Sequence, residues 1–148
     1  MLHKQLKALL LVALITVTGT LSARDGGESF EIYLNNKLLV RQHVSQSFNF
    51  QNLNLTAANA NDKLVIYYNH CGIPGKSRTI AIQDAAGNVL KTYTFGDAAS
   101  TKEGMTIPVK ELLALEKQSK GVQLAIHYKA KELPKGLTLT SLKLADKS

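Results

Sequence analysis

Alternation of apolar and polar residues, repeated along most of the chain, is the feature that most narrows what this sequence can fold into. Phe30, Ile32 and Leu34 alternate with Glu31 and Tyr33, and a period of two places the two sets on opposite faces of a strand. Asn35-Asn36 stands where a two-residue turn needs positive φ, and Leu38, Val40 and Val44 resume the pattern, which predicts a hairpin. The alternating stretch 47–50 leads into Leu53 and Leu55, and residues 57–62 read as a small polar loop. Residues 63–71 are apolar on both faces, with Leu64, Ile66 and Tyr68 on one and Val65, Tyr67 and Cys71 on the other. That predicts a central strand with Cys71 in an apolar setting, a slow-reacting thiol.

Further along, Pro74 and Gly75 mark a turn, Ile80 and Ile82 a strand, and residues 84–88 a tight loop onto a strand over 89–95. After a polar loop over 96–104 the pattern changes period: Val109, Leu112, Leu113 and Leu115 share one arc of a helix. Pro108 suits its first position, Glu116 and Lys120 stand at i,i+4 spacing, and Gly121 suits its end. A strand over 122–128, a turn over 134–136 and a last strand over 137–144 follow, with a parity shift that predicts a bulge near Thr140 and Ser141. About eight strands at hairpin spacing, with one short helix, predict an all-β fold, an antiparallel β-sandwich of Ig-like or jelly-roll-like kind. A closed barrel is the alternative.

Composition sharpens the exclusions. With 45% hydrophobic and 20% charged residues the chain is neither disordered nor a coiled coil, and one cysteine rules out a disulfide-stapled mini-protein. Residues 1–23 read as a signal peptide: Lys4 and Lys7 precede an apolar run of about ten residues, too short to span a membrane, where about twenty are needed. Residues 24–148 then form a single β-sandwich domain, exported to the periplasm or the extracellular space, with no transmembrane segment in the mature chain. Asn54-Leu55-Thr56 is a sequon for a eukaryotic secretory route only.

Charge is unevenly placed. Residues 24–116 carry nine basic and nine acidic side chains, whereas residues 117–148 carry seven lysines against Glu132 and Asp146. His127, Lys129 and Lys131 share one parity on their strand and Lys135 follows, so these four are the candidate binding residues. They suit an acidic envelope polymer, an anionic lipid headgroup or another protein. The plain reading of the same lysines is protection of an edge strand from further pairing. Nucleic acid is not expected, because three arginines stand against fifteen lysines and arginine favours bidentate phosphate recognition. Carbohydrate stacking lacks tryptophan, leaving Tyr33, Tyr67, Tyr68, Tyr93 and Tyr128 as the available rings.

His70-Cys71 is the one local pair with reactive potential. It forms an alternative site, either a thiolate activated by the imidazole or, with His43 and His127, a soft-metal site. Adjacent strand residues point to opposite faces, so the pair shares a partner only if the strand ends between them. Paired zinc-ligand spacing, a Gly-x-Ser-x-Gly elbow, His-Glu-x-x-His and a phosphate-cradling loop are all missing from the sequence. Asp84, Asp97 and Glu103 read as solvated loop carboxylates. No cofactor or resident metal is expected. The sequence favours an exported, non-enzymatic binding or assembly module, with a periplasmic metal- or redox-handling protein using Cys71 and His70 as the alternative.

Overall fold

The structure, a computed structural model, describes residues 27–46 and 51–144. The leader assigned to residues 1–23 and the alternating stretch 47–50 lie outside the described residues. Among the described residues, β1 (Ser29–Leu34), β2 (Lys37–His43), β4 (Lys63–Asn69) and β7 (Met105–Pro108) form a sheet in the order β2-β1-β4-β7. A second sheet runs β3-β9-β8-β5-β6, from β3 (Asn52–Leu55), β9 (Leu133–Leu144), β8 (Leu124–Ala130), β5 (Arg78–Gln83) and β6 (Val89–Gly96). A 3-10 turn at Ala57–Asn59 and an α-helix, α1 (Val109–Gln118), are the other elements among the described residues. The architecture is an all-β, sandwich-like fold, as the alternation predicts. Every strand pair is antiparallel except β3 with β9, which run parallel.

The inward sets meet between the sheets. Phe30, Ile32, Leu64, Ile66, Met105 and Ile107 from the first sheet, with Leu55, Ile80, Ile82, Leu124, Ile126 and Tyr128 from the second, are almost wholly buried. The two sequence-legible hairpins form with positive φ at Asn35 and Gly87 but not at Asn36 or Asn88, and Leu38, expected to resume the inward set, is exposed because the β1–β2 register shifts beside it. Asn35 takes φ 54°, and its amide both donates to Asp62 Oδ1 and accepts from the Lys63 amide, each at 2.9 Å, which ties the turn to β4. Asp84 accepts from the Ala86 and Asn88 amides and the Asn88 side chain, closing the loop around Gly87 at φ 83°. Burial of Val109 and Leu112 seats α1 on the core, and Glu111 holds it to β6 through Lys91 and Tyr93.

Four local expectations are corrected. The strand expected over 63–71 ends at Asn69, and His70 lies just beyond it. The turn expected over 134–136 lies at residues 131–132, and β9 runs through Pro134 and Gly136 because Gly136, at φ 72°, absorbs a bulge against β8. A β-carbon at Gly136 would lie 2.7 Å from the Tyr128 carbonyl oxygen. The later bulge falls at Leu139, where Ile126 pairs with Thr140 but His127 with Thr138. Lys120 has φ 54°, beyond the end of α1, and so leaves the helical spacing that would have paired it with Glu116.

Ile66→Ala is expected to cost about 2–5 kcal/mol by opening a cavity between the sheets, while Val89→Ala on an exposed edge changes stability by about 0.5 kcal/mol or less. Urea unfolding of the two variants checks the pair. Equal losses would place Ile66 outside the core.

Candidate functional site

The reactive pair of the sequence is split by a tight turn. Cys71 and Gly72 both have positive φ, 55° and 85°, the signature of a type I′ turn, and the Ile73 amide donates back to the His70 carbonyl at 3.1 Å. Asn69 Oδ1 accepts from the Gly72 amide at 2.7 Å. The thiol therefore sits at the turn tip, exposed to solvent, while His70 points inward, 4% exposed. The apolar setting expected for Cys71 is thereby corrected: it required the strand to continue two residues further than it does. Nor do the histidines gather. His43 is exposed at the end of β2 and His127 lies on the outer face of the second sheet. Among the described residues no three His, Cys, Asp or Glu side chains are placed to share one metal ion.

His70 instead links the two sheets. Its Nδ1 donates to Glu28 Oε1 at 3.3 Å, and in the neutral imidazole its Nε2 accepts from the Tyr128 hydroxyl at 2.9 Å. Tyr68 of β4 stacks on Tyr128 of β8 at 4.4 Å between ring centres, and His70 lies 4.6 Å from Tyr68. Burial drives the Tyr68 phenol far above its ordinary value, reinforced by the Glu28 charge, and burial does the same to Tyr128. Gly75 packs against this end, since a β-carbon there would lie 2.9 Å from the Tyr128 hydroxyl. The cluster is a hydrogen-bonded link between the sheets that meets solvent at the part-exposed Glu28, and the Tyr68 hydroxyl within it is buried with no hydrogen-bond partner among the described residues.

The basic residues fare differently. Lys129 projects from the outer face of β8 beside His127, and β8 lies between β5 and β9, in the interior of its sheet. Edge protection therefore does not explain Lys129. Gly136 of β9 lies against both the His127 ring and the Lys129 stem, which places neighbouring Lys135 at the same patch; β3 pairs only with residues 141–144 of β9, so Lys135 lies on a stretch whose far edge is open. Lys131 sits in the turn after β8, and its amide donates to the Lys76 carbonyl at 2.8 Å. The Lys76 backbone, on another loop, thus runs beside that of Lys131, which sequence spacing does not announce. Glu132, which accepts from the Lys76 amide at 3.0 Å, is the carboxylate among them. Burial, with the nearby Lys129 charge, holds the His127 ring below its ordinary value. A backbone hydrogen bond at Lys135 opposes this in part, and the lysines rather than the ring supply the field.

A second surface lies on the outer face of the first sheet. A groove of about 590 Å³ is lined by Glu31, Tyr33, Asn36, Tyr67, Asn69 and Lys102, among others. Tyr33 and Tyr67 meet edge to face, 5.6 Å between centres. The Tyr33 hydroxyl donates to Glu31 Oε2 at 2.8 Å, and Arg41 Nε donates to Glu31 Oε1 at 2.6 Å. The signal for these rings was present: both tyrosines stand at the parity opposite the buried set. No family model and no curated protein matches the sequence.

Two expectations follow. Cys71 should react with a thiol reagent in the folded protein nearly as fast as in denaturant; strong protection would contradict the exposed turn. Tyr68, Tyr93 and Tyr128 have folded-state values raised chiefly by burial, so their contribution to stability is complete below about pH 10, the unfolded tyrosine value, and is lost as pH rises beyond it. Absorbance at 295 nm should show these phenols ionising together with unfolding. Ionisation of all five tyrosines near pH 10 in a still-folded protein would contradict the burial of these three.

Proposed function

We propose that the chain is an exported, non-enzymatic binding module whose outer second-sheet face holds a polyanion, an acidic envelope polymer or an anionic headgroup layer. The observation that carries this reading is the position of Lys129 on a strand with neighbours on both sides, where a lysine has no pairing edge to guard, beside His127 and near Lys131 and Lys135. The leader-like residues 1–23 support export. The exposed side chains of Lys129, Lys131 and Lys135 act through solvent, so the attraction is long-ranged at low salt and screened beyond about 8 Å at physiological ionic strength.

Retention on immobilised heparin and on phosphatidylglycerol vesicles, followed across a salt series, tests the reading. The parent protein should bind at low salt and release steeply as salt rises. Replacing Lys129, Lys131 and Lys135 together by Gln should remove most of the retention while changing stability by only about 0.5 kcal/mol per site. A parent that is not retained at low salt, or a triple variant retained as well as the parent, would overturn it.

A further inference from the structure

We infer that the groove on the outer face of the first sheet is a second, separate site, and that it takes a neutral oligosaccharide. It goes beyond the polyanion reading and uses none of the same residues.

The groove is firmly built. Its rings are fixed from below and from the side. Gly104 lies directly against Tyr67: a β-carbon there would come within 2.9 Å of the ring and 2.7 Å of Val65, so this close approach requires glycine. Tyr33 abuts Tyr67 edge-on, and the Arg41–Glu31–Tyr33 hydrogen-bond chain fixes Tyr33 in turn. The loop that supplies Gly104 and Lys102 is itself pinned by Arg78, 4% exposed. Its guanidinium donates to the Gly96 and Glu103 carbonyls and to Glu103 Oε1, at 3.1, 2.9 and 2.8 Å. A surface assembled before its ligand arrives does not spend binding energy on ordering itself.

The chemistry of the lining selects the ligand. A pyranose presents an apolar C–H face and a rim of hydroxyls, which suits an aromatic surface ringed by groups that both donate and accept. Asn36 and Thr101 offer side chains with no hydrogen bond among the described residues, and Lys102 an ammonium group. Asn69 uses its amide oxygen on Gly72 and keeps its NH₂ donors. The Glu31 carboxylate accepts from Arg41 and Tyr33 and has lone pairs remaining. Nothing in the groove selects a polyanion, because Glu31 is paired with Arg41 and Lys102 is a single cation among neutral lining groups. A proline-rich peptide seeks a groove of aromatic ridges, whereas these two rings stand at 82° to each other within a largely polar rim. The volume lies within the roughly 300–1,000 Å³ of small-ligand sites.

The test is a ¹H–¹⁵N NMR titration of the protein with cellohexaose, maltohexaose and laminarihexaose, each to about 10 mM, a concentration that reveals affinities down to the millimolar range. At least one should shift the amides of Tyr33, Asn36, Tyr67, Asn69 and Lys102 in a saturable way. Tyr67→Ala should weaken binding at least about tenfold, as loss of a central aromatic anchor does, while Tyr67→Phe, which keeps the ring, stays within about twofold. Asn36→Ala, on an exposed turn, should weaken binding about threefold, the scale of one lost hydrogen bond, and gives a readout if Tyr67→Ala fails to fold. The Lys129, Lys131 and Lys135 glutamine variant should bind the saccharide as the parent does, which separates this site from the polyanion face. No shifts with any of the three saccharides would overturn the inference. So would equal losses in the Tyr67 Ala and Phe variants, full binding by Asn36→Ala and Tyr67→Ala, or a response of the same amides to a polyproline decapeptide alone.

Discussion

The burial of one charge organises much of this molecule. Arg78 opens β5 with its guanidinium almost out of reach of water, and a buried cation is tolerated only where its donors are satisfied. Three are, by Gly96, by the Glu103 carbonyl and by the Glu103 carboxylate. Glu103 also accepts from the Ala99 amide at 2.7 Å, the largest of the influences that hold its carboxyl below the ordinary range. Around this centre the Ala98 amide donates to the Gly75 carbonyl and the Ser77 amide to Asp97. The connection from β6 to β7 is thereby fastened to the one from β4 to β5. Arg78 closes the two ends of the β6–β7 connection onto the start of β5 through Gly96 and Glu103, and the Ala98 and Ser77 amides complete the wall.

The same end of the sandwich carries the other polar link, in which His70 of the first sheet meets Tyr128 of the second above the stacked Tyr68 ring. Gly75 is common to both, packed under the Tyr128 hydroxyl and against the Arg78 stem. Ring stacking and the hydrogen bond from Tyr128 to His70 fix the relative position of the sheets more tightly than aliphatic packing alone. The consequence is a frame whose two outer faces are chemically different: lysines on the second sheet, tyrosines and amides on the first. Under the proposed function, work is done by these faces while the interior remains inert.

Much of the frame was legible because alternation is a local signal. Phe30, Ile32 and Leu34 announce their strand unaided, and Asn35 and Gly87 announce their turns. What escaped was set by contacts distant in sequence. Position 71 continues an apolar parity, yet positive φ at Cys71 and Gly72 ends the strand first, and nothing local says that Cys will adopt a conformation usually left to Gly or Asn. Gly136 looked like a turn residue beside Pro134, but its reason is the His127 and Lys129 side chains across the ladder. The lysines read equally well as guards of an edge until the strand order placed β8 inside its sheet. In the same way the outward parity of Tyr33 and Tyr67 was visible, whereas the loop that walls them in depends on Arg78, which no spacing rule connects to Glu103.

Both faces therefore rest on a scaffold that is ordered before anything binds, and amide hydrogen exchange of the free protein measures that order directly. The amides of Ala98 and Ala99, in an otherwise irregular loop, should exchange far more slowly than an unstructured chain, and Arg78→Met should release them while the amides of β8 stay protected. Exchange of Ala98 and Ala99 at unstructured rates in the parent protein, or protection unchanged in Arg78→Met, would contradict the clamp on which this structure is argued to depend.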